Sequence, residues 1–548
     1  MNKEDYITKM NVILSDSAKF KSDSQIDNVK LVEKQICREL HLLMLHGFIT
    51  EAHYKTLKPI GTCTPEMYGL PKLHKPGTPM RPILSMINSP YHKLAKWLKG
   101  ILDPVCEQLS THTVIDSFGL LPTLEHLNIS NSRMCSFDVN SLFTNVPLEE
   151  TVEFICDFIT SHNIRISIPT TYLRDLILLC TKNIKFYFQG KAYMQIDGVA
   201  MGSPLGPVLA NIFMGMIERQ VSQFIDGITL YKRYVDDILV ILPQSTDINQ
   251  VNDLFNAIHP NLKVTYEEEN NNELAFLDIL LHRRPDGSIR RRVHRKPTWS
   301  GQYLHFTSFC PIQYKRSIVK TLFARASRIC TVDTLDDEFK FITETLKLNG
   351  YPETFIGHQN TNTTKLIATD VPKKPVYLQL PFKGDHCMKI TTKQTAAAIK
   401  KTFNAANLRL ITTTQSISVN PIKSPRPIQS KSHCIYQFTC NCGESYLGRT
   451  DRRLEDRIGE HIPRWLIKSM IHPPSPSSQD RSRNPASSIA KHLMMSGHQI
   501  DPKSAFRVVT CHQNPHTLKL LEAILIGRKS PTLCVQKQLY VDLCLPWF

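Results

Sequence analysis

Two adjacent carboxylates, Asp236 and Asp237, lie in the run Tyr231-Lys-Arg-Tyr-Val-Asp-Asp-Ile-Leu-Val240. The β-formers on either side predict strand, tight turn, strand, with the aspartates at the turn. Paired carboxylates repel unless a cation shares them. Hard divalent ions take oxygen ligands, and Mg²⁺ commonly takes one or two protein carboxylates plus phosphate oxygens. Two such ions can clamp the attacking and leaving oxygens of an in-line phosphoryl displacement. Alone, an Asp-Asp pair is more often a solvated hairpin turn, so the rest of the chain decides.

Three stretches upstream add to it. Asp138, in Ser136-Phe-Asp-Val-Asn-Ser-Leu-Phe-Thr-Asn-Val-Pro147, ends a β-like run before a helical segment over 148–159. Phe143 has the bulk to pack on a nucleotide's sugar and reject a 2′-hydroxyl, the group separating RNA from DNA precursors; a core Phe is the plainer alternative. The Gly/Pro-punctuated stretch over 68–85 is loop or short strand, and its Lys72, His74, Lys75 and Arg81 suit phosphates or mere solvation. In Gln195-Ile-Asp-Gly-Val-Ala-Met-Gly-Ser-Pro-Leu-Gly-Pro207 the glycines permit close backbone approach to a ligand. Pro207 is placed to open a helix through Val208, Ile212 and Met216.

A second cluster lies near the C-terminus. Cys434 to Thr450 reads as two short strands around a turn, and Asp451 is placed to cap a helix with Leu454, Ile458, Ile462 and Trp465 on its apolar side. Arg453, Arg457 and His461 recur every four residues on another face. Beside Tyr436 and Tyr446, that face suits a scissile phosphate, since Arg stabilises developing charge and Tyr or His moves protons. An ordinary basic helix face is the alternative. Cys440, Cys442, His492 and His498 could ligate zinc, but the one-residue gap between the cysteines favours free thiols on spacing alone.

The 548 residues exceed one hydrophobic core, so two or more domains are expected. The 41% hydrophobic content excludes a wholly disordered chain. The net charge of +17 fits a polyanionic partner, nucleic acid first. Fifteen scattered cysteines, no apolar signal core at the start and no run of roughly 20 apolar residues imply an intracellular, reducing setting and no membrane partner. Residues 1–58 look helical, with Leu31, Val32, Ile36 and Leu40 at helical spacing. The segment 283–299 carries seven Lys/Arg against one acid, with a Pro285-Asp-Gly287 turn and flanking Trp299 and Tyr303. It predicts a basic hairpin tracking a phosphate backbone through Arg290, Arg291, Arg292, Arg295 and Lys296, with a nuclear localisation signal as the competing use. Residues 311–349 look helical and basic, at Lys315, Arg316, Lys320, Arg325 and Arg328. A connector runs over 356–430, with low complexity at Asn360 to Thr364, a strand at Val376 to Pro381, a helix over Lys393 to Leu408, and Pro421, Pro425 and Pro427 near its end. The Pro/Ser-rich stretch from Pro473 to Ser488 reads as an insertion.

The order of these signals resembles a reverse transcriptase, and the wording is similar to Penelope-like retroelements. Tyr68-Gly-Leu-Pro-Lys-Leu-His-Lys, Arg81-Pro-Ile-Leu-Ser, Phe137-Asp-Val-Asn-Ser-Leu-Phe, Met201-Gly-Ser-Pro-Leu, Arg233-Tyr-Val-Asp-Asp, Phe276-Leu-Asp and Arg295-Lys-Pro-Thr298 carry the likeness across about 50–350. It implies an α+β right hand of fingers and palm (59–282) and a thumb-like basic region (283–355). Asp138, Asp236 and Asp237 would hold two Mg²⁺, Arg81 and Lys72 would meet the triphosphate, and Phe143 would gate the sugar. Gln195, Gly202, Ser203 and Pro204 would line template and nucleotide. Gly206 stands where Ser is commoner, and Asp278 is read as structural. Residues 431–548 resemble a small α/β GIY-YIG endonuclease. Tyr436 and Tyr446 match its signature tyrosines, joined by Arg457, His461 and the metal-binding Glu522, for one Mg²⁺. Leu447 replaces the commoner Ile, Cys434 the usual Gly, and Cys534 an expected Asn. That family often carries a Cys-Cys-His-His cluster, which supports structural Zn²⁺ at Cys440, Cys442, His492 and His498. The resemblance implies RNA-templated DNA synthesis primed at nicked target DNA, with RNA template, DNA and deoxynucleoside triphosphates as partners and a nuclear site of action. Two alternatives stand beside it. One is a truncated or decayed copy that only binds nucleic acid, since relatives begin with a further fingers block. The other is an active polymerase whose nuclease is disabled by Cys534.

Overall fold

A computed structural model describes residues 1–23, 29–73, 75–360, 374–402, 406–413, 428–463, 466, 487–502 and 504–534. His74, Trp465, the low-complexity run after residue 360, Pro421, Pro425, Pro427 and the Pro/Ser-rich stretch up to residue 486 lie outside them. The architecture is mixed α/β. No described helix is long and apolar enough to cross a membrane.

The Asp pair belongs to a four-stranded antiparallel sheet in the order Leu230–Tyr234, Asp237–Pro243, Ser132–Val139, Val264–Glu268. Its second strand is apolar without alternation because both faces are covered. Ile238, Val240 and Leu242 enter the main core, while Leu239 and Ile241 join Met134 in a second core. Helices His92–Leu109, Leu148–Ser161, Gly206–Gln220 and Ile248–Ile258 supply the main core.

The basic loop is a hairpin, Glu66–Pro71 against Met80–Ser85, at one edge of a five-stranded sheet. Helix Lys3–Leu14 ties down its tip: Lys9 Nζ donates to the Gly77 carbonyl at 2.5 Å and to Thr78 Oγ1 at 2.6 Å. The N-terminal region is helical except for Phe20–Ser22, which pairs with Lys191–Gln195 as the other edge strand. Ile36 and Leu40 are buried, but Leu31 faces solvent.

Downstream, the expected basic hairpin forms as Ile279–Arg283 and Ile289–Val293, with Gly287 in left-handed backbone (φ +82°) at its turn. Helices Ile312–Ile329, Val332–Leu348 and Glu353–Asn360 pack around Val319, Phe323, Ile342 and Leu346. The connector departs from expectation. Its helix is Asp385–Thr402, and Ala406–Thr413 is a strand parallel to Lys374–Pro381. Parallel neighbours need a crossover, which the helix supplies, so Ala406 to Leu408 go into the ladder.

The C-terminal sheet runs Ser445–Thr450, Cys434–Thr439, Phe506–Cys511, with helices Leu454–His461, Ser488–Ser496 and Pro515–Lys529. Asp451 does not cap the first helix. Arg453 is the cap residue and makes no side-chain cap bond, and the Leu454 N–H donates to the Lys431 carbonyl at 2.8 Å.

Candidate active sites

Asp236 sits in the turn and Asp237 opens the next strand, directly opposite Asp138 in the ladder. The three carboxylates thus converge although Asp138 is distant in sequence. The turn is strained, because Val235, a β-branched residue, has φ +54°. Arg233, wholly buried, holds it. Arg233 donates to Glu218 at 2.6 and 3.3 Å, to Asn211 Oδ1 at 2.9 Å, to Thr113 Oγ1 at 3.0 Å and to the Val235 carbonyl at 3.1 Å. Tyr231 donates to the same glutamate at 3.1 Å. The Val139 N–H donates to the Asp236 carbonyl at 2.9 Å. Sequence reasoning missed this support. Arg233 lies inside the motif, but Thr113, Asn211 and Glu218 carry no local signal.

Burial pushes the Asp236 carboxyl up, and the negative charge of Asp138 adds to it. Burial, then Asp236 and Asp138, push Asp237 up to about 6. Lys75 Nζ lies 2.7 Å from Asp138 Oδ2, a further partner that sequence reasoning noted only as basic. Crowded, partly desolvated carboxylates of this kind fit hard divalent cations, so Asp138, Asp236 and Asp237 are the residues that would hold Mg²⁺.

A cavity of about 1340 Å³ opens beside them, lined by Asp236, Lys72, Arg81, Phe143 and Gly202 to Pro204. Gly202 has φ +120°, and a Cβ there would lie 2.3 Å from the Leu84 carbonyl oxygen, so this approach demands glycine. A Cβ at Gly206 would meet the Phe143 ring at 3.4 Å; glycine leaves that ring room. Gln195 does not join the cavity. It is 2% exposed, and its amide donates to the Asp197 carbonyl at 3.2 Å.

The basic strip is also less free than expected. Arg295 pairs with Glu338 and stacks on Trp299 and Phe341. Arg291 donates to the Leu121 carbonyl at 3.4 Å. Arg292 and Lys296 are exposed, with Arg290 half-buried. Of the helical cations, Lys315 is buried against Phe306, Arg325 pairs with Asp278 and Arg328 covers Phe118, whereas Arg316 and Lys320 face solvent.

In the C-terminal unit, the Tyr436 hydroxyl lies 2.7 Å from His461 Nε2 and accepts from Arg457 Nε at 3.2 Å. His461 Nδ1 lies 2.7 Å from Ser487 Oγ. Tyr446 stacks edgewise on His461, with ring centroids 5.2 Å apart. Burial, then the neighbouring Arg457, lower His461 to about 4, so it is neutral at pH 7. Burial raises the Tyr436 phenol. A neutral imidazole can accept the hydrogen bond of the protonated Tyr436 phenol and so fix the direction of its hydroxyl. Glu522 is held by Arg449 at 2.8 Å, and burial still raises its carboxyl. Cys534 Sγ accepts from the Leu447 N–H at 3.2 Å and donates to its carbonyl at 3.1 Å. The ligand atoms of Cys440, Cys442, His492 and His498 all lie within 4.8 Å of one another, which suits tetrahedral zinc.

Residues 73–268 match the family model described as reverse transcriptase (RNA-dependent DNA polymerase), and residues 302–361 match the animal helix-turn-helix domain. No curated protein matches the chain. Among solved structures, apo telomerase from Candida tropicalis is similar at 12% identity and TM-score 0.33, covering 50% of this chain and 63% of that one. Telomerase from Candida albicans in complex with a fragment of telomeric RNA gives 12% and 0.38, covering 60% and 63%. The Sicinivirus RNA-dependent RNA polymerase gives 12% and 0.38, covering 59% and 70%. The chain thus spans 63% of the length of either telomerase chain. By the match over 73–268, which takes in Asp138, Asp236, Asp237, Arg81 and Phe143, this chain carries a reverse transcriptase domain.

Proposed function

We propose that the chain is an RNA-directed DNA polymerase of a Penelope-like mobile element, joined to a GIY-YIG endonuclease that nicks target DNA to prime synthesis. The observation that carries the polymerase half is the convergence of Asp138, Asp236 and Asp237 within the matched domain, with Asp236 on the wall of a cavity that Arg81, Lys72 and Phe143 also line. When bound there, Mg²⁺ supplies Lewis-acid activation of the attacking 3′-hydroxyl and charge neutralisation on the triphosphate. Arg81 and Lys72 orient the phosphates, Phe143 limits the sugar edge, and the Gly202 to Pro204 loop brings backbone against the nucleotide. Arg292, Lys296, Arg316 and Lys320 supply exposed cations for the primer–template backbone.

The nuclease half rests on Tyr436, Tyr446, Arg457, His461 and Glu522 meeting in the C-terminal unit. His461 holds the Tyr436 hydroxyl in place by accepting its hydrogen bond, Tyr436 orients the attacking water, and Arg457 stabilises the developing phosphate charge. Glu522 would hold one Mg²⁺. The Cys440, Cys442, His492 and His498 geometry supports a structural Zn²⁺. Cys534, where an Asn is expected, bonds both the N–H and the carbonyl of Leu447, and Cys534→Asn tests whether nicking depends on that replacement.

Supercoiled DNA, an RNA template and labelled deoxynucleotides, incubated together with Mg²⁺, test the coupling. Label should join the nicked DNA strand. Glu522→Gln should abolish nicking while extension of a free primer persists. Extension of a free primer but never of a nick would overturn the coupling.

A further inference from the structure

The C-terminal unit meets the N-terminal helix at a built seam. Glu33, on helix Val29–Leu45, accepts from Arg453 Nε at 3.2 Å and Nη2 at 3.0 Å. The same Glu33 carboxylate takes the Thr62 N–H at 2.8 Å and the Thr62 hydroxyl at 2.7 Å. Arg453 Nη2 also donates to the Thr62 carbonyl at 3.0 Å. The two charged side chains are 9% and 13% exposed. Beside them the backbones close up. Gly61 has φ +69°, and a Cβ there would lie 2.5 Å from the Ser430 carbonyl oxygen and 2.8 Å from Ser432 Cβ. Ser432 Oγ donates to the Ile60 carbonyl at 2.9 Å. On the rim, Lys30 meets Glu455 at 2.9 Å, an exposed pair that contributes little. A two-pronged arginine–carboxylate bond with its other lone pairs taken, next to a glycine that alone permits the approach, is geometry built for one partner.

We propose that Glu33, Thr62 and Arg453 clamp the C-terminal unit onto the polymerase and act as positioning residues for its site. Arg453 opens helix Leu454–His461, and Arg457 and His461 follow at one-turn intervals, both bonded to the Tyr436 hydroxyl. The polymerase side therefore grips the first turn of the helix whose next turns carry the proposed nuclease. The docking stands on the seam alone; its effect on nicking rests on the nuclease reading above.

A protease site placed after residue 420 in the full chain tests the docking. After cleavage the two fragments should co-elute on size exclusion. Glu33→Arg and, independently, Gly61→Val should each weaken fragment association by at least about tenfold, with free-primer extension retained as the sign that the larger fragment is folded. In the uncut chain, Glu33→Arg should lower nicking while leaving extension unchanged. Fragments that separate in the unsubstituted protein, or that stay together in both variants, would overturn the clamp. Absence of nicking by the unsubstituted chain would sink the nuclease reading instead, and co-elution would still decide the docking.

Discussion

The two clusters proposed above for phosphate chemistry have opposite electrostatics. The first gathers three carboxylates at one end of a sheet, and burial with mutual repulsion raises Asp236 and Asp237. It is built to be completed by cations. The second gathers phenols, a guanidinium and a neutral imidazole around Tyr436, and its two carboxylates are already paired, Glu522 with Arg449 and Glu460 with Arg457. It supplies most of its charge stabilisation from its own side chains. The supports differ too. The carboxylates hang on a turn, on two adjacent strands and on one buried arginine, whereas in the second cluster Arg457 and His461 ride one helix, a turn apart, against Tyr436 and Tyr446 on two strands.

The sharpest way to break this contrast is Arg233→Met. It strands Glu218 in the core, which costs roughly 3–5 kcal/mol, and frees the strained Val235 turn. Thermal melting should show the loss, and extension should fall while nicking by the folded fraction persists. Equal loss of both activities per folded molecule would show that the sites are not independently supported. Next in size, Arg457→Ala should cost about 10²–10³-fold in nicking and leave primer extension unchanged.

Acid separates the regions by sign. Asp237 is raised from 3.8 to about 6, so the metal-free fold gains stability at this site as pH falls through 6 towards 3.8. His461 is lowered from 6.5 to about 4, so the folded C-terminal unit resists a proton that the unfolded chain accepts, and it loses stability over 6.5 to 4. Melting of metal-free protein between pH 7 and 4.5 should show the C-terminal unit weakening first. Asp237→Asn should stabilise the metal-free protein at pH 7 by roughly 1–3 kcal/mol. If the variant is instead destabilised at every pH, the carboxylates are not in repulsion. Smallest, Phe143→Ala should raise ribonucleotide incorporation about tenfold; an unchanged ratio would leave the ring as packing against Gly206.

How legible the sites were follows from the range of the forces that build them. Asp236 and Asp237 were readable because adjacent residues and flanking β-formers define the turn, whereas Gly202, read as allowing close approach to a ligand, is required by the approach of the Leu84 carbonyl. Arg457 and His461 were readable from helical spacing. Gln195 was misread because a polar residue beside a glycine loop looks the same whether its amide faces a ligand or its own backbone. Arg295 looked free because Glu338 and Phe341, which hold it, come from a helix about 40 residues on. Asp451 looked like a cap because it precedes an apolar-periodic run, but the helix opens only at Leu454, which puts Arg453 at the cap position. The connector helix ended early because a parallel partner strand claimed its last residues, a pairing without a local pattern. The Arg233 network and the Glu33–Arg453 seam share that character, since each joins residues that only the completed fold brings together.

The central claim is that Asp138, Asp236 and Asp237 carry RNA-templated DNA synthesis. Primer extension on an RNA template with Mg²⁺, by the purified chain and by Asp236→Asn, tests it most directly. Extension by the unsubstituted chain that vanishes in a variant still binding primer–template is the predicted result. No extension by either protein, with RNA binding retained, would contradict it and leave a nucleic-acid binder that does not catalyse.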